Sequence, residues 1–266
     1  MNINQKQNSL REVISFYSEK GEVLGDINQL PKDIIVYTGF ELSGDPHIGT
    51  YVSLKRLCSF EKVADYNVTT ICLLADFHSF INSKNIILNR EKLISFINKE
   101  KHKDTTLLMG FLEDSQGTPG HQQLEEYWNL VFKIFNAVPY NRLKRCITLK
   151  NKQDSQYTPK RSELLYIVLQ VVDMMILNVN ISLGGTDQRK IHMLYSDLRS
   201  KYLKKEKLKR IIFIHHELHK DINGIKTSKS LQNYAPLQII LKNVGVSDKY
   251  ASEHNYIKEN IFNISI

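Results

Sequence analysis

The sequence predicts an α/β domain: a parallel sheet with helices on both faces. Three observations carry this. Asp33 to Phe40 and Asn67 to Asp76 are apolar, β-rich and nearly continuous, as strands buried on both faces are. Segments with helical spacing of apolar residues alternate with these runs, which is the pattern of a parallel sheet. Ser43-Gly44-Asp45-Pro46 and Gly184-Gly185 fall after strands, and ligands in such sheets bind beyond the carboxyl ends of the strands.

The elements follow in order. Residues 8–19 space Leu10, Val13, Ile14 and Tyr17 as one face of an amphipathic helix. After the first buried strand and its turn, a helix is expected from His47 onward. The second strand precedes a helix expected from Asn89 to about Leu112. Gln116 to Gln122 is polar and broken by Gly and Pro, so a loop. Gln123 to Ala137 carries Leu124, Tyr127, Trp128, Val131 and Phe135 on one helix face. Asn151 to Arg161 reads as a linker, and Ser162 as the cap of a long apolar helix reaching about Leu177. A short strand at Val179 to Leu183, a helix from Asp187 to Lys204 and a strand from Arg210 to His215 complete the pattern.

Bulk properties narrow the class. A chain of 266 residues with 42% hydrophobic residues can bury a sizeable core. The net charge of +8 suits polyanionic partners but also an inert basic surface, so it does not decide between them. Cys58, Cys72 and Cys146 form no CxxC pair, which indicates neither a zinc site nor a disulfide framework, and no protein metal site is expected. Cys72 sits in an apolar run and reads as a small core residue. The N-terminus lacks an apolar signal core, and the run from Tyr166 to Leu177 is too short to span a bilayer. A soluble, cytoplasmic protein with no membrane contact is the expectation.

Three motifs carry chemistry. Pro46-His47-Ile48-Gly49-Thr50 opens a helix after a strand, where free N–H groups and the positive dipole end suit phosphate. Lys226-Thr227-Ser228-Lys229-Ser230, after Asn223-Gly224, sets two lysines three apart on a loop that could clamp a polyphosphate. Taken alone, each is no more than a capping histidine or a solvated basic loop. The third is the most specific. Tyr166, Gln170 and Asp173 share one side of an otherwise aliphatic helix, shortly before Gly184-Gly185-Thr186-Asp187-Gln188-Arg189-Lys190-Ile191. Buried polar groups need partners, so these line either a satisfied core network or a pocket for a polar ligand; the nearby Gly-Gly-Thr-Asp-Gln favours the pocket.

Together, His47-x-Gly49 and Lys226-x-x-Lys229-Ser230 look like the HIGH and KMSKS signatures of class I aminoacyl-tRNA synthetases. The third motif, Val36 to Gly44 and Leu73 to Asn82 resemble tyrosyl-tRNA synthetases of the archaeal and eukaryotic type. The similarity covers residues 33–84 and 140–232 well and the stretch between them poorly. The resemblance implies a Rossmann-like, doubly wound catalytic domain over residues 1–230, with a mostly helical insertion at about 112–160. It implies activation of L-tyrosine by ATP with Mg2+, transfer to tRNA through its acceptor end, and a homodimer formed around 112–150. Tyr37 and Asp173 would hold the substrate phenol; Tyr166, Gln170 and Gln188 would bond its amino and carboxylate groups. Gly39, His47, Gly49 and Asp187 would contact ATP, with Lys226 and Lys229 on its phosphates; His47, Thr50, Lys226 and Lys229 form the catalytic set.

Departures from that pattern set further expectations. Thr50 stands where the family motif ends in His, which implies a weaker phosphate contact. Ile167 stands where a Pro is usual. Residues 231–266 suffice for a short helical segment but not for the family's anticodon-binding domain, so tRNA contacts would fall on Arg142, Lys144, Arg145, Lys150, Lys152 and the basic run 199–210. Two alternatives stay open: a paralogue that passes tyrosine to a non-tRNA acceptor, and a catalytically silent tyrosine- or RNA-binding module.

Overall fold

The computed structural model describes residues 8–19, 21–42, 45–82, 86–108, 121–147, 157–203 and 208–218. The chain opens with helix α1 (Leu10–Glu19), started by a reciprocal cap: Ser9 N–H donates to Glu12 Oε2 at 2.7 Å and Glu12 N–H to Ser9 Oγ at 3.2 Å. Strands β1 (Gly21–Leu24) and β2 (Asp33–Glu41) follow, then α2 (Ile48–Ser59), β3 (Asn67–Ala75) and α3 (Asp76–Ile81). Next come α4 (Ile86–Glu100), β4 (Thr106–Leu108), α5 (His121–Ala137) and α6 (Tyr140–Lys144). The last described elements are α7 (Arg161–Ile176), β5 (Ile181–Gly185), α8 (Arg189–Asp197) and β6 (Ile212–His216).

The strands form one sheet in the order β1-β6-β5-β2-β3-β4, parallel except for β1, which runs antiparallel along the edge beside β6. The expected α/β architecture is therefore present. Successive strand residues point to opposite faces, and this divides the core in two. Ile34, Val36, Cys72, Leu74, Ile181, Leu183, Ile212 and Ile214 pack with α1, α2 and α4. Tyr37, Leu73 and Phe213 pack with α5, α7 and α8 on the other face.

Several sequence expectations need correction. The helix expected to reach Leu112 stops at Glu100, and β4 occupies part of its remainder. Neither β4 nor β1 was expected: runs of three and four residues carry too little periodicity to register. Ser162 lies inside α7, one residue past its start; the helix is capped at Lys160, whose N–H donates to Glu163 Oε2 at 2.7 Å. The helix expected over 187–204 is a 3-10 turn (Thr186–Gln188), α8 and a π-helical turn (Leu198–Tyr202). Gly184 and Gly185 belong to the strand itself, paired with His215 and His216, so the strand expected at 179–183 is displaced toward them. Ile167 is buried in the α7 core face. The expected loop at 116–122 is outside the described residues up to Gly120, and the segment 231–266 is wholly outside them.

Candidate active site

The strand order locates the site. From β2 the chain moves outward through β3 to β4; it then returns to the other side of β2 with β5 and continues to β6. The order reverses between β2 and β5, and in such sheets the crevice beyond the carboxyl ends at a reversal is the usual ligand position. Glu41, Gly184 and Gly185 mark those ends, and the segment leading into α2 and the Thr186–Gln188 turn leave from them.

On the α5/α7 side, α7 delivers its polar row. Asp173 is 1% exposed, and the hydroxyl of Tyr127 on α5 donates to its Oδ1 at 2.8 Å. His78 on α3 brings Nε2 to 3.6 Å from Asp173 Oδ2, too far for a hydrogen bond. Both atoms are buried and lack a hydrogen-bond partner, as does Gln170 Oε1. One turn earlier, Tyr166 meets the His78 ring edge-on with centroids 4.7 Å apart. Gln170 Nε2 donates to Gln188 Oε1 at 2.8 Å, joining α7 to the turn after β5. Tyr37, buried on β2, completes the group: the nearby charge of Asp173 is felt at its hydroxyl.

Electrostatics follow from burial. Desolvation, reinforced by Asp76, pushes the Asp173 carboxyl up to about 8 against the opposing hydrogen bond from Tyr127. Desolvation, then the charge of Asp173, raises the Tyr37 phenol well above its ordinary value. Burial lowers His78 to about 3, so its ring is neutral. Tyr166 is raised by burial, then by the charges of Glu41, Asp187 and Asp173. Such a set is chemically suited to a polar, largely uncharged group such as a phenol.

The other wall starts at α2. His47 caps this helix, its Nδ1 accepting from the N–H of Gly49 at 3.0 Å and of Thr50 at 3.4 Å. That arrangement places the ring proton on Nε2, the form that donates to a phosphate oxygen. Thr50 is 4% exposed, and its Oγ1 accepts from His47 N–H at 3.4 Å. Its hydroxyl thus takes part in the helix cap. Gly39 leaves room for Tyr37: a Cβ there would lie 2.6 Å from the Tyr37 hydroxyl oxygen. At Gly185 a Cβ would lie 2.6 Å from Asp187 Oδ1 and 2.5 Å from Leu218 Cδ2, so a side chain there would displace the ends of both. Lys226 and Lys229 lie outside the described residues.

Sequence reasoning missed Tyr127 and His78 as site groups; Tyr127 was legible only as one aromatic on a helix face. It also missed a buried chain beneath the glycine pair. Ser182 Oγ lies 3.4 Å from His192 Nε2, His192 Nδ1 lies 2.8 Å from His215 Nε2, and His215 Nδ1 lies 3.1 Å from Glu22 Oε2. Arg189, at the start of α8, holds the same Glu22 at 2.6 Å. Of the expected tRNA contacts, Arg142 is committed elsewhere: its Nε donates to Asp197 Oδ2 at 2.6 Å and its side chain is 11% exposed. Lys150 and Lys152 lie outside the described residues.

The family model "tRNA synthetases class I (W and Y)" matches residues 29–255. The chain is 32% identical over 200 residues to a tyrosine–tRNA ligase of Methanospirillum hungatei, covering 75% of this chain and 59% of that protein. A tyrosine–tRNA ligase of Methanococcoides burtonii is 31% identical over 218 residues, 80% of this chain and 64% of its own. The chain thus spans about three-fifths of the length of these relatives. In fold it is similar to the tyrosyl-tRNA synthetase of Archaeoglobus fulgidus solved with L-tyrosine (TM-score 0.67, 22% identity, 93% of this chain and 81% of that one). It is also similar to the Aeropyrum pernix tyrosyl-tRNA synthetase (TM-score 0.62, 22% identity, 84% and 66%). The match over residues 29–255 establishes that the chain belongs to the class I tRNA synthetase family of the tryptophan and tyrosine enzymes.

Proposed function

We propose that this protein activates L-tyrosine with ATP to form tyrosyl-adenylate and passes the tyrosyl group to tRNA-Tyr. The observation that carries the choice of tyrosine is Asp173: a buried carboxyl with one oxygen held by Tyr127 and the other without a hydrogen-bond partner, beside Tyr37. A phenol in the crevice would satisfy Asp173 Oδ2 and meet the Tyr37 hydroxyl. Phenylalanine would leave both unpaired, at a cost of about 1–3 kcal/mol for each buried polar group. Names of the relatives point the same way.

In this reading Tyr166, Gln170 and Gln188 bond the amino acid's charged end, and its carboxylate attacks the α-phosphorus of ATP, releasing pyrophosphate. His47 Nε2–H and the helix start at Gly49 stabilise charge growing on the phosphates, while Asp187 holds the ribose. Lys226 and Lys229 complete the clamp, and Mg2+ arrives with ATP as its counter-ion. A cytoplasmic setting accords with three free thiols. Phe132, 62% exposed, and Phe135, 39% exposed, on α5 support the homodimer, since such aromatics gain from being covered.

Tyrosine-dependent ATP–pyrophosphate exchange, run beside charging of tRNA-Tyr, tests the proposal. Exchange with tyrosine and not phenylalanine, together with charging, is expected. Absence of exchange with any amino acid overturns it, and exchange without charging overturns the acceptor.

A further inference from the structure

At the opposite end of the strands, three side chains from two separate parts of the chain converge. Glu61 sits in the 3-10 turn that ends α2; His102 and Asp104 sit in the connection between α4 and β4. One ligand atom from each lies within 4.8 Å of the other two. His102 Nδ1 is 2.5 Å from Glu61 Oε2 and 3.4 Å from Asp104 Oδ2.

Two features separate this cluster from an ordinary surface ion pair. The Glu61 side chain is 3% exposed, and its Oε2, like His102 Nδ1, is buried without a hydrogen-bond partner despite their close approach. The two atoms thus meet at ion-pair distance without hydrogen-bond geometry between them, an arrangement that a cation held by both would satisfy. Second, the carboxylate is held from behind. Its other oxygen, Oε1, accepts from Thr70 Oγ1 on β3 at 2.8 Å and from Thr105 Oγ1. His102 is anchored through its backbone N–H, which donates to Cys58 Sγ at 3.4 Å. Ligands oriented by such outer contacts are the mark of a metal site. Asp104, 63% exposed, opens the cluster to solvent, so water can supply the fourth position.

We propose that Glu61, His102 and Asp104 bind a divalent transition metal of the Zn2+ class. One imidazole nitrogen and two carboxylate oxygens suit a borderline cation in tetrahedral geometry, with bonds of about 2.0–2.2 Å and ligand atoms about 3.4 Å apart. His102 and Glu61 would separate by about one ångström to admit it, through rotation about side-chain bonds. The ion would staple the end of α2 to the entry of β4, and its function is structural, remote from the crevice.

The test uses full-length protein freed of metal with a chelator, then titrated with Zn2+ by calorimetry and with Co2+ followed by its visible absorption. One equivalent should bind, and Zn2+ should raise the melting temperature. His102→Ala and Asp104→Ala should each weaken binding by at least about tenfold and remove the thermal shift, leaving tyrosine-dependent exchange unchanged. Because Glu61 also satisfies two threonines, Glu61→Gln is not the deciding variant. Lack of saturable uptake by the wild-type chain leaves an ion pair only and overturns the proposal. Uptake that survives both variants also overturns it, placing the ion elsewhere, for example at His192 and His215.

Discussion

The Tyr127 hydroxyl donates to Asp173 Oδ1 at 2.8 Å, joining α5 to α7 across forty-six positions of sequence. This bond engages Oδ1 and leaves Oδ2 buried without a hydrogen-bond partner, the oxygen to which the proposed function assigns the substrate phenol. Tyr127→Phe should therefore cost about 1–3 kcal/mol of stability in chemical denaturation, because it strands a buried acceptor. The same change should raise the KM for tyrosine by about tenfold or more and narrow the preference over phenylalanine. Stability loss with unchanged tyrosine KM would show that Tyr127 only packs.

Asp173 makes stability depend on pH. In the unfolded chain its carboxyl loses its proton near 3.8; in the folded protein it keeps it to about 8. Between those values the folded state binds the extra proton, so stability falls as pH rises and the full penalty is present above about 8. Asp173→Asn retains an acceptor for Tyr127 and has no proton to lose. Its melting temperature relative to wild type should rise from pH 5 to pH 8.5, while tyrosine-dependent exchange falls sharply. A difference that is flat with pH would contradict the assignment.

His47 and Thr50 cap α2 reciprocally. Thr50→Ala should cost about 1 kcal/mol and raise the KM for ATP more than that for tyrosine, since it loosens the histidine's setting. Thr50→Ser should restore both. Denaturation midpoints and the two KM values decide the matter; an equal rise in both KM values would argue for a general loss of folding.

Gly39→Ala would force the Tyr37 hydroxyl away from its place, where the added Cβ would lie 2.6 Å from it. We expect the KM for tyrosine to rise by about tenfold, equivalent to one displaced hydrogen bond. A rise confined to the KM for ATP would instead assign Gly39 to the nucleotide.

Much of the site was legible because it is local. Tyr166, Gln170 and Asp173 fall on one side of α7 by helical periodicity alone, and Gly184 to Gln188 form the end of one short strand and the turn after it. His47 is likewise readable as the residue that opens a helix after a buried strand. Tyr127 and His78 were not readable as site residues: each lies on a helix whose pattern records only which face is buried, and their meeting at Asp173 depends on how α3, α5 and α7 pack. The cluster of Glu61, His102 and Asp104 was not legible either, since cysteine spacing says nothing of it and α4 lies between Glu61 and the other two.

By itself the sequence determined the alternating architecture, the polar row of α7 and the helix-opening histidine, because periodicity and capping act within a few residues. Tertiary structure alone decided the strand order that opens the crevice between β2 and β5, the antiparallel edge at β1, the partner that orients Asp173 and the convergence of Glu61 with His102. Those relationships join residues tens of positions apart. The burial that brings them together is a property of packed layers, and it is also what shifts the Asp173 carboxyl to about 8.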